Sequence, residues 1–147
     1  MPISNVPVFP QTPRPFITQL STVISVGAIT QLYISSTSSG VGASKITTIF
    51  ATNSDANGHN IALYFTRSGV SYNLGVINLS GNAGFTTTAT STFILSTVNF
   101  PGLNLDNGVA GTGHLFLAST NDSLSISYAT AFTAGAVINV YGVAKDF

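Results

Sequence analysis

Lys45–Leu79 reads KITTIFATNSDANGHNIALYFTRSGVSYNLGVINL, and its periodicity decides the fold. Ile61, Leu63 and Phe65 alternate with Ala62, Tyr64 and Thr66. A period of two gives a strand with one buried face. Upstream, Ile46 to Ala51 is rich in β-branched residues and suits a partner strand. Downstream, Tyr72, Leu74 and Val76 alternate again. Asn57-Gly58 and Arg67-Ser68-Gly69 carry residues that tolerate positive φ. The stretch predicts a meander of three strands joined by two turns. Such a meander cannot bury its apolar face alone, so the rest of the chain must supply a second layer.

Working outward, both flanks read as further strands. Leu20 to Val26 and Ile29 to Ser35 are two candidates around Gly27, followed by a Ser/Gly loop over Ser36 to Ser44. On the other side, Ser80 to Thr92 is a polar, Thr-rich loop and Phe93-Ile94-Leu95 a short apolar run. Ser96 to Gly113 is the longest irregular stretch, with turn signals at Pro101-Gly102 and Asp106-Asn107-Gly108. His114 to Ser119, Leu124 to Tyr128 and Val137 to Val143 complete the set. Eight or nine short strands, regularly punctuated and with no helical pattern, predict an all-β antiparallel sandwich or barrel.

Five of the six prolines, Pro2, Pro7, Pro10, Pro13 and Pro15, lie in the first seventeen residues. Proline fixes φ and removes donors, which favours an extended segment. Val6, Val8, Phe9, Phe16 and Ile17 give it apolar side chains that disordered tails usually lack. The expected organisation is an extended arm over 1–17, ordered only on a neighbouring subunit or on a larger assembly through those five residues, and a sandwich domain over 18–147.

Of the 147 residues only 5% are charged, against about 25% in ordinary soluble domains. Glu is absent; the acids are Asp55, Asp106, Asp122 and Asp146 and the bases Arg14, Lys45, Arg67 and Lys145. Net charge is zero and mean hydropathy +0.42. A surface with so little repulsion suits a protein packed against neighbours. A homo-oligomer is expected, a trimer before a dimer. Four scattered bases do not make a nucleic-acid surface. The opening MPISNVPVFP lacks the pattern of a secretory signal, and no apolar run reaches the ~18 residues of a spanning helix. Synthesis and use without membrane passage by the usual route are expected.

Chemical motifs are weak. GVGASK, Gly40 to Lys45, lacks the Gly before Lys that a phosphate loop needs. Asp55-Ala56-Asn57-Gly58 lacks the later ligands of a calcium loop and reads as a turn. His59 and His114, the only histidines, read as surface or turn residues, and a zinc site would need more ligands. There is no GxSxG elbow and no Cys. No catalytic, cofactor or metal residue is assigned, and a non-enzymatic role is expected.

Ala51 to Gly69, with Asn53-Ser54-Asp55, Ile61-Ala62-Leu63-Tyr64 and Gly69, resembles a group of small β-sandwich virion proteins of tailed bacteriophages. Leu74, PGLNLD (Pro101 to Asp106), NDSLSIS (Asn121 to Ser127) and the closing GVAKDF are similar to the same proteins. The resemblance implies a jelly-roll fold and a capsid decoration, or cement, protein on the head surface of a virion. Its partner would be the major capsid protein. A fibre, neck or tail component shares these features, as does a receptor- or glycan-binding module using Tyr33, Tyr64, Tyr72, Tyr128 and Tyr141. The alternation of Tyr141, Val143, Lys145 and Phe147 also leaves room for a small outer-membrane barrel.

Overall fold

Alternating burial organises nine strands among the described residues of the computed structural model, which are 12–35, 43–101 and 113–146. They are β1 (Thr12–Ser21), β2 (Thr30–Ile34), β3 (Ser44–Asn53), β4 (His59–Arg67), β5 (Val70–Leu79), β6 (Thr92–Phe93), β7 (Leu115–Leu117), β8 (Ser123–Tyr128) and β9 (Val137–Asp146). One sheet runs β1-β9-β3-β6, with β7 also on β3; the other runs β2-β8-β4-β5. Every pairing is antiparallel. The fold is an all-β sandwich with no helix among the described residues.

The core lies between the sheets. Ile46, Ile49 and Ala51 of β3 and Ile138 and Val140 of β9 face Ile61 and Leu63 of β4 and Leu124 and Ile126 of β8. Burying each large aliphatic side chain contributes about 1.5–3 kcal/mol. The first sheet ends in β1 and in β6 and β7, the second in β2 and β5. Among the described residues these are two open sheets, not the closed sheet of an outer-membrane barrel.

The expected three-strand meander is not formed. β4 and β5 make a hairpin, closed by Ser68 and Gly69 at φ 51° and 78°, as a two-residue primed turn requires. β3 belongs to the other sheet. Neither Asn57 nor Gly58 takes a positive φ, so Asn57-Gly58 is not a hairpin turn. Side chains redirect the chain there: Asn53 Oδ1 accepts from Asp55 N at 3.0 Å and Asp55 Oδ1 from Asn57 N at 3.0 Å. These Asx turns carry residues 54–58 across the sandwich.

Two boundaries also move. The strand expected over Leu20 to Val26 ends at Ser21, where Ile24 N bonds to Ser21 O and the chain turns. It begins at Thr12 and pairs with β9 over ten residues, from Thr12↔Asp146 to Ser21↔Val137. Phe16, Ile17, Pro13 and Pro15 of the expected arm are thus part of the sandwich. Proline fits because β1 is an edge strand, where one row of N–H groups has no ladder partner. Val6, Val8 and Phe9 lie outside the described residues, as do Gly102 to Asp106 of the PGLNLD segment.

Candidate functional site

Polar chemistry in the described residues gathers at three buried carboxylates, one for each described acid. Asp55, Asp122 and Asp146 are all 1–2% exposed. Asp122, before β8, takes a bidentate fork from Arg67 at the end of β4: Nε to Oδ1 at 2.9 Å and Nη2 to Oδ2 at 2.6 Å. Such paired charge-assisted bonds are strong and directional. The guanidinium also lies 5.2 Å from the Phe65 ring centre. Arg67 holds the Asp122 carboxyl below its ordinary range, with the Ser119 N–H assisting.

Asp55 ties together the β3–β4 and β8–β9 connections. Oδ2 accepts from Thr133 N at 2.7 Å and from His59 Nε2 at 3.0 Å. Oδ1 accepts from Thr133 Oγ1 at 2.9 Å and from Asn57 N. Thr133 N–H and Asn57 N–H, then His59, hold this carboxyl well below the usual carboxylate range. His59 is therefore no surface residue. It opens β4 on the inward face, with its ring centre 4.7 Å from that of Phe132 and Nδ1 2.9 Å from Thr130 Oγ1. His114 is buried too. No sequence spacing marks Thr130 and Thr133, which reach Asp55 and His59 only through the fold.

The order hydroxyl, imidazole, carboxylate is that of a hydrolytic triad. Here both carboxylate oxygens are saturated by a loop backbone and the imidazole is enclosed, so the cluster acts as a strut between loops. Among the described residues no group of three or more His, Asp or other acidic ligands could hold a metal. A hollow of about 330 Å³ beside β5 is lined by Leu63, Leu74, Leu95, Phe100 and Leu115. Its polar neighbour Asn99 is committed to the carbonyls of Phe93 and Ile94, each at 3.0 Å.

The struts predict acid sensitivity. A carboxyl whose folded pKa is depressed contributes stability above its unfolded value, about 4, and that stability is lost as pH falls below it. Asp55 and Asp122 both carry this sign. The melting temperature should be flat from pH 7 to about 5 and fall steeply below about 4. Asp55→Asn should lower it at pH 7 and flatten the acid slope. A melting temperature constant down to pH 2 would contradict the assignment.

Exposed apolar side chains mark the other candidate surfaces. The β5 edge shows Val70, Tyr72, Leu74 and Val76. On the outer face of the β1-β9-β3-β6 sheet, Ile17 pairs with Tyr141, Tyr141 with Phe50 and Phe50 with Phe93. Comparison of the chain with protein-family models, curated proteins and solved structures finds no match.

Of the expected contact residues, Ile17 is 71% exposed on this outer face, whereas Phe16 points inward, 5.4 Å from the Tyr33 ring. The five tyrosines do not converge. Tyr33 and Tyr128 are in the core, Tyr64 and Tyr141 lie on opposite outer faces, and Tyr72 is on the β5 edge. They do not form one sugar platform.

Proposed function

We propose that this protein is a structural virion component, a capsid decoration protein of jelly-roll type that binds the outside of a tailed-phage head and stabilises the major capsid protein shell. The observation that carries the reading is the strand order, β1-β9-β3-β6/β7 against β2-β8-β4-β5. Two antiparallel sheets in which six of the eight connections between described strands cross the sandwich support the double Greek key of a jelly roll. The resemblance is distributed along that order: Asn53-Ser54-Asp55 leads out of β3, Ile61 to Tyr64 lies in β4, and Asn121 to Ser127 leads into β8.

Fold alone does not fix function. The surface adds support: the described acids are internal, large apolar side chains are exposed, and the chain has zero net charge. A surface of this kind favours contact over free diffusion. A homo-oligomer, a trimer before a dimer, belongs to the same proposal, since a surface with little charge does not keep copies apart.

Gold-labelled antibody on purified virions tests the reading. Dense label over the head is expected. A few copies at the tail or fibres would replace it with the tail-component alternative, and unlabelled particles would remove both.

A further inference from the structure

We propose that Asn57, in the connection between β3 and β4, is a site of spontaneous deamidation whose product loosens the Asp55 strut. This chemistry is independent of the virion reading. Asn57 and Gly58 are both exposed and stand outside the β4–β5 ladder, which begins at His59. Gly58 has no side chain to shield its nitrogen, and its N–H has no backbone acceptor among the described residues. The Asn57 amide is held loosely. Its Nδ2 lies 3.3 Å from Asp55 Oδ1 and 3.4 Å from Thr133 Oγ1, beyond the ~2.9–3.0 Å of a firm N–H···O bond. The amide carbon and the attacking nitrogen belong to adjacent residues, so ring closure starts from a preassembled pair.

The reaction needs only water. The Gly58 nitrogen gives up its proton and bonds to Asn57 Cγ, the Cγ–Nδ2 bond breaks, and that nitrogen leaves as ammonia. Water then opens the resulting succinimide. Cleavage at the side-chain carbonyl leaves aspartate. Cleavage at the main-chain carbonyl leaves isoaspartate, with the backbone rerouted through the former side chain. Either way a neutral donor becomes an anion, and nothing is oxidised or reduced.

That anion arises beside a carboxylate that is buried and kept ionised by its own donors. Two carboxylates this close repel each other. Asp55 Oδ1 also accepts from Asn57 N at 3.0 Å, and Asn53 Nδ2 donates to Asn57 O at 2.9 Å. Isoaspartate adds a methylene to the main chain and displaces the N–H and carbonyl that make these two bonds. Asp55 fixes Thr133 N and His59 as well, so the disturbance reaches the β8–β9 connection.

Folded full-length protein is aged in mildly alkaline buffer, and mass spectrometry locates any amide-to-acid change on each asparagine. Asn57 should convert about tenfold faster than Asn60 or Asn78, whose following residues Ile61 and Leu79 shield the attacking nitrogen. No conversion at position 57 in the folded chain overturns the site, whatever an unfolded chain shows. Asn57→Gln, which keeps an amide but cannot close the same ring, is the control. After equal ageing the deamidated parent should melt about 4 °C lower than fresh parent, with faster exchange at the Thr133 amide, and Asn57→Gln should lose less. Both chains keep Asn107-Gly108, the other Asn-Gly pair, so only position 57 separates them. Equal losses in the two chains refute the link to the strut. Fresh and deamidated parent, resolved by ion exchange on the added charge, repeat the comparison without a variant. An unchanged exchange rate at Thr133 in that comparison refutes the link too.

Discussion

Asp146→Ala is expected to destabilise the sandwich by about 3 kcal/mol, the loss of acceptor for two buried hydroxyls at about 1–3 kcal/mol each. Asp146 is the last residue of β9 and points inward. Oδ1 accepts from Tyr33 Oη of β2 at 2.7 Å and from Ser44 Oγ of β3 at 2.7 Å. Oδ2 faces Arg14 Nε of β1 in an ion pair. One carboxylate therefore joins four strands and both sheets at one end of the sandwich. The Arg14 side chain is 46% exposed, so the ion pair itself adds little, about 0–1 kcal/mol. The hydroxyls dominate. Burial, with Asp146 beside it, pushes the Tyr33 phenol above its ordinary range, which keeps it a donor.

For a chain of this size, 1 kcal/mol moves the melting temperature by about 2–4 °C, so Asp146→Ala should melt about 6–12 °C lower. Lys145→Ala, one residue earlier and pointing outward, should change it by less than about 2 °C. Equal melting temperatures for the two variants would show that the carboxylate does not clamp the sheets.

What the sequence disclosed follows the range of the interactions involved. Alternation is local, so β4, β8 and β9 and the Ser68-Gly69 hairpin could be read directly from Ile61–Phe65, Leu124–Tyr128 and Val137–Val143. Sheet membership is not local. β3 and β4 are consecutive and apolar, yet Asn53 and Asp55 steer them into opposite sheets, and a polar Asn-Ser-Asp run reads equally well as a hairpin. The arm illustrates the same limit. Proline density predicts an extended chain over 1–17, of which residues 12–17 lie in β1, but whether an extended segment lies on its own β9 or on a neighbour depends on a partner about 130 residues away. The burial of His59 is not legible because Thr130, which meets its Nδ1, and Thr133, which fixes its partner Asp55, are remote in sequence. The outer apolar row becomes visible only once the register aligns Ile17, Tyr141, Phe50 and Phe93.

At the opposite end of the sandwich, Gly81→Ala is expected to cost about 4 kcal/mol, combining backbone overpacking with lost hydrogen bonds. Gly81 follows β5 and lies against the β3–β4 connection. A Cβ there would collide with the carbonyl of Ala56, and backbone cannot rotate aside as a side chain can. The loop would have to move, and it is held on both sides. Asn53 Nδ2 donates to Ser80 O at 3.1 Å and to Asn57 O at 2.9 Å. Asn82 N donates to Asp55 O at 2.7 Å and Asn53 N to Ala83 O at 2.8 Å. Displacing Gly81 strains these together and disturbs the loop that carries Asp55. Against a typical total stability of about 5–15 kcal/mol, the loss is a large fraction. Gly135→Ala is the matched control: φ is +81° but a Cβ would meet nothing within 4 Å, so only the left-handed backbone cost of about 1–2 kcal/mol applies. Urea denaturation of both variants should place Gly81→Ala well below Gly135→Ala in midpoint. Faster amide exchange at Asn53 and Asn82 should accompany it. Equal midpoints would mean that the two loops can part without cost, and that the contact does not fix the crossing from one sheet to the other.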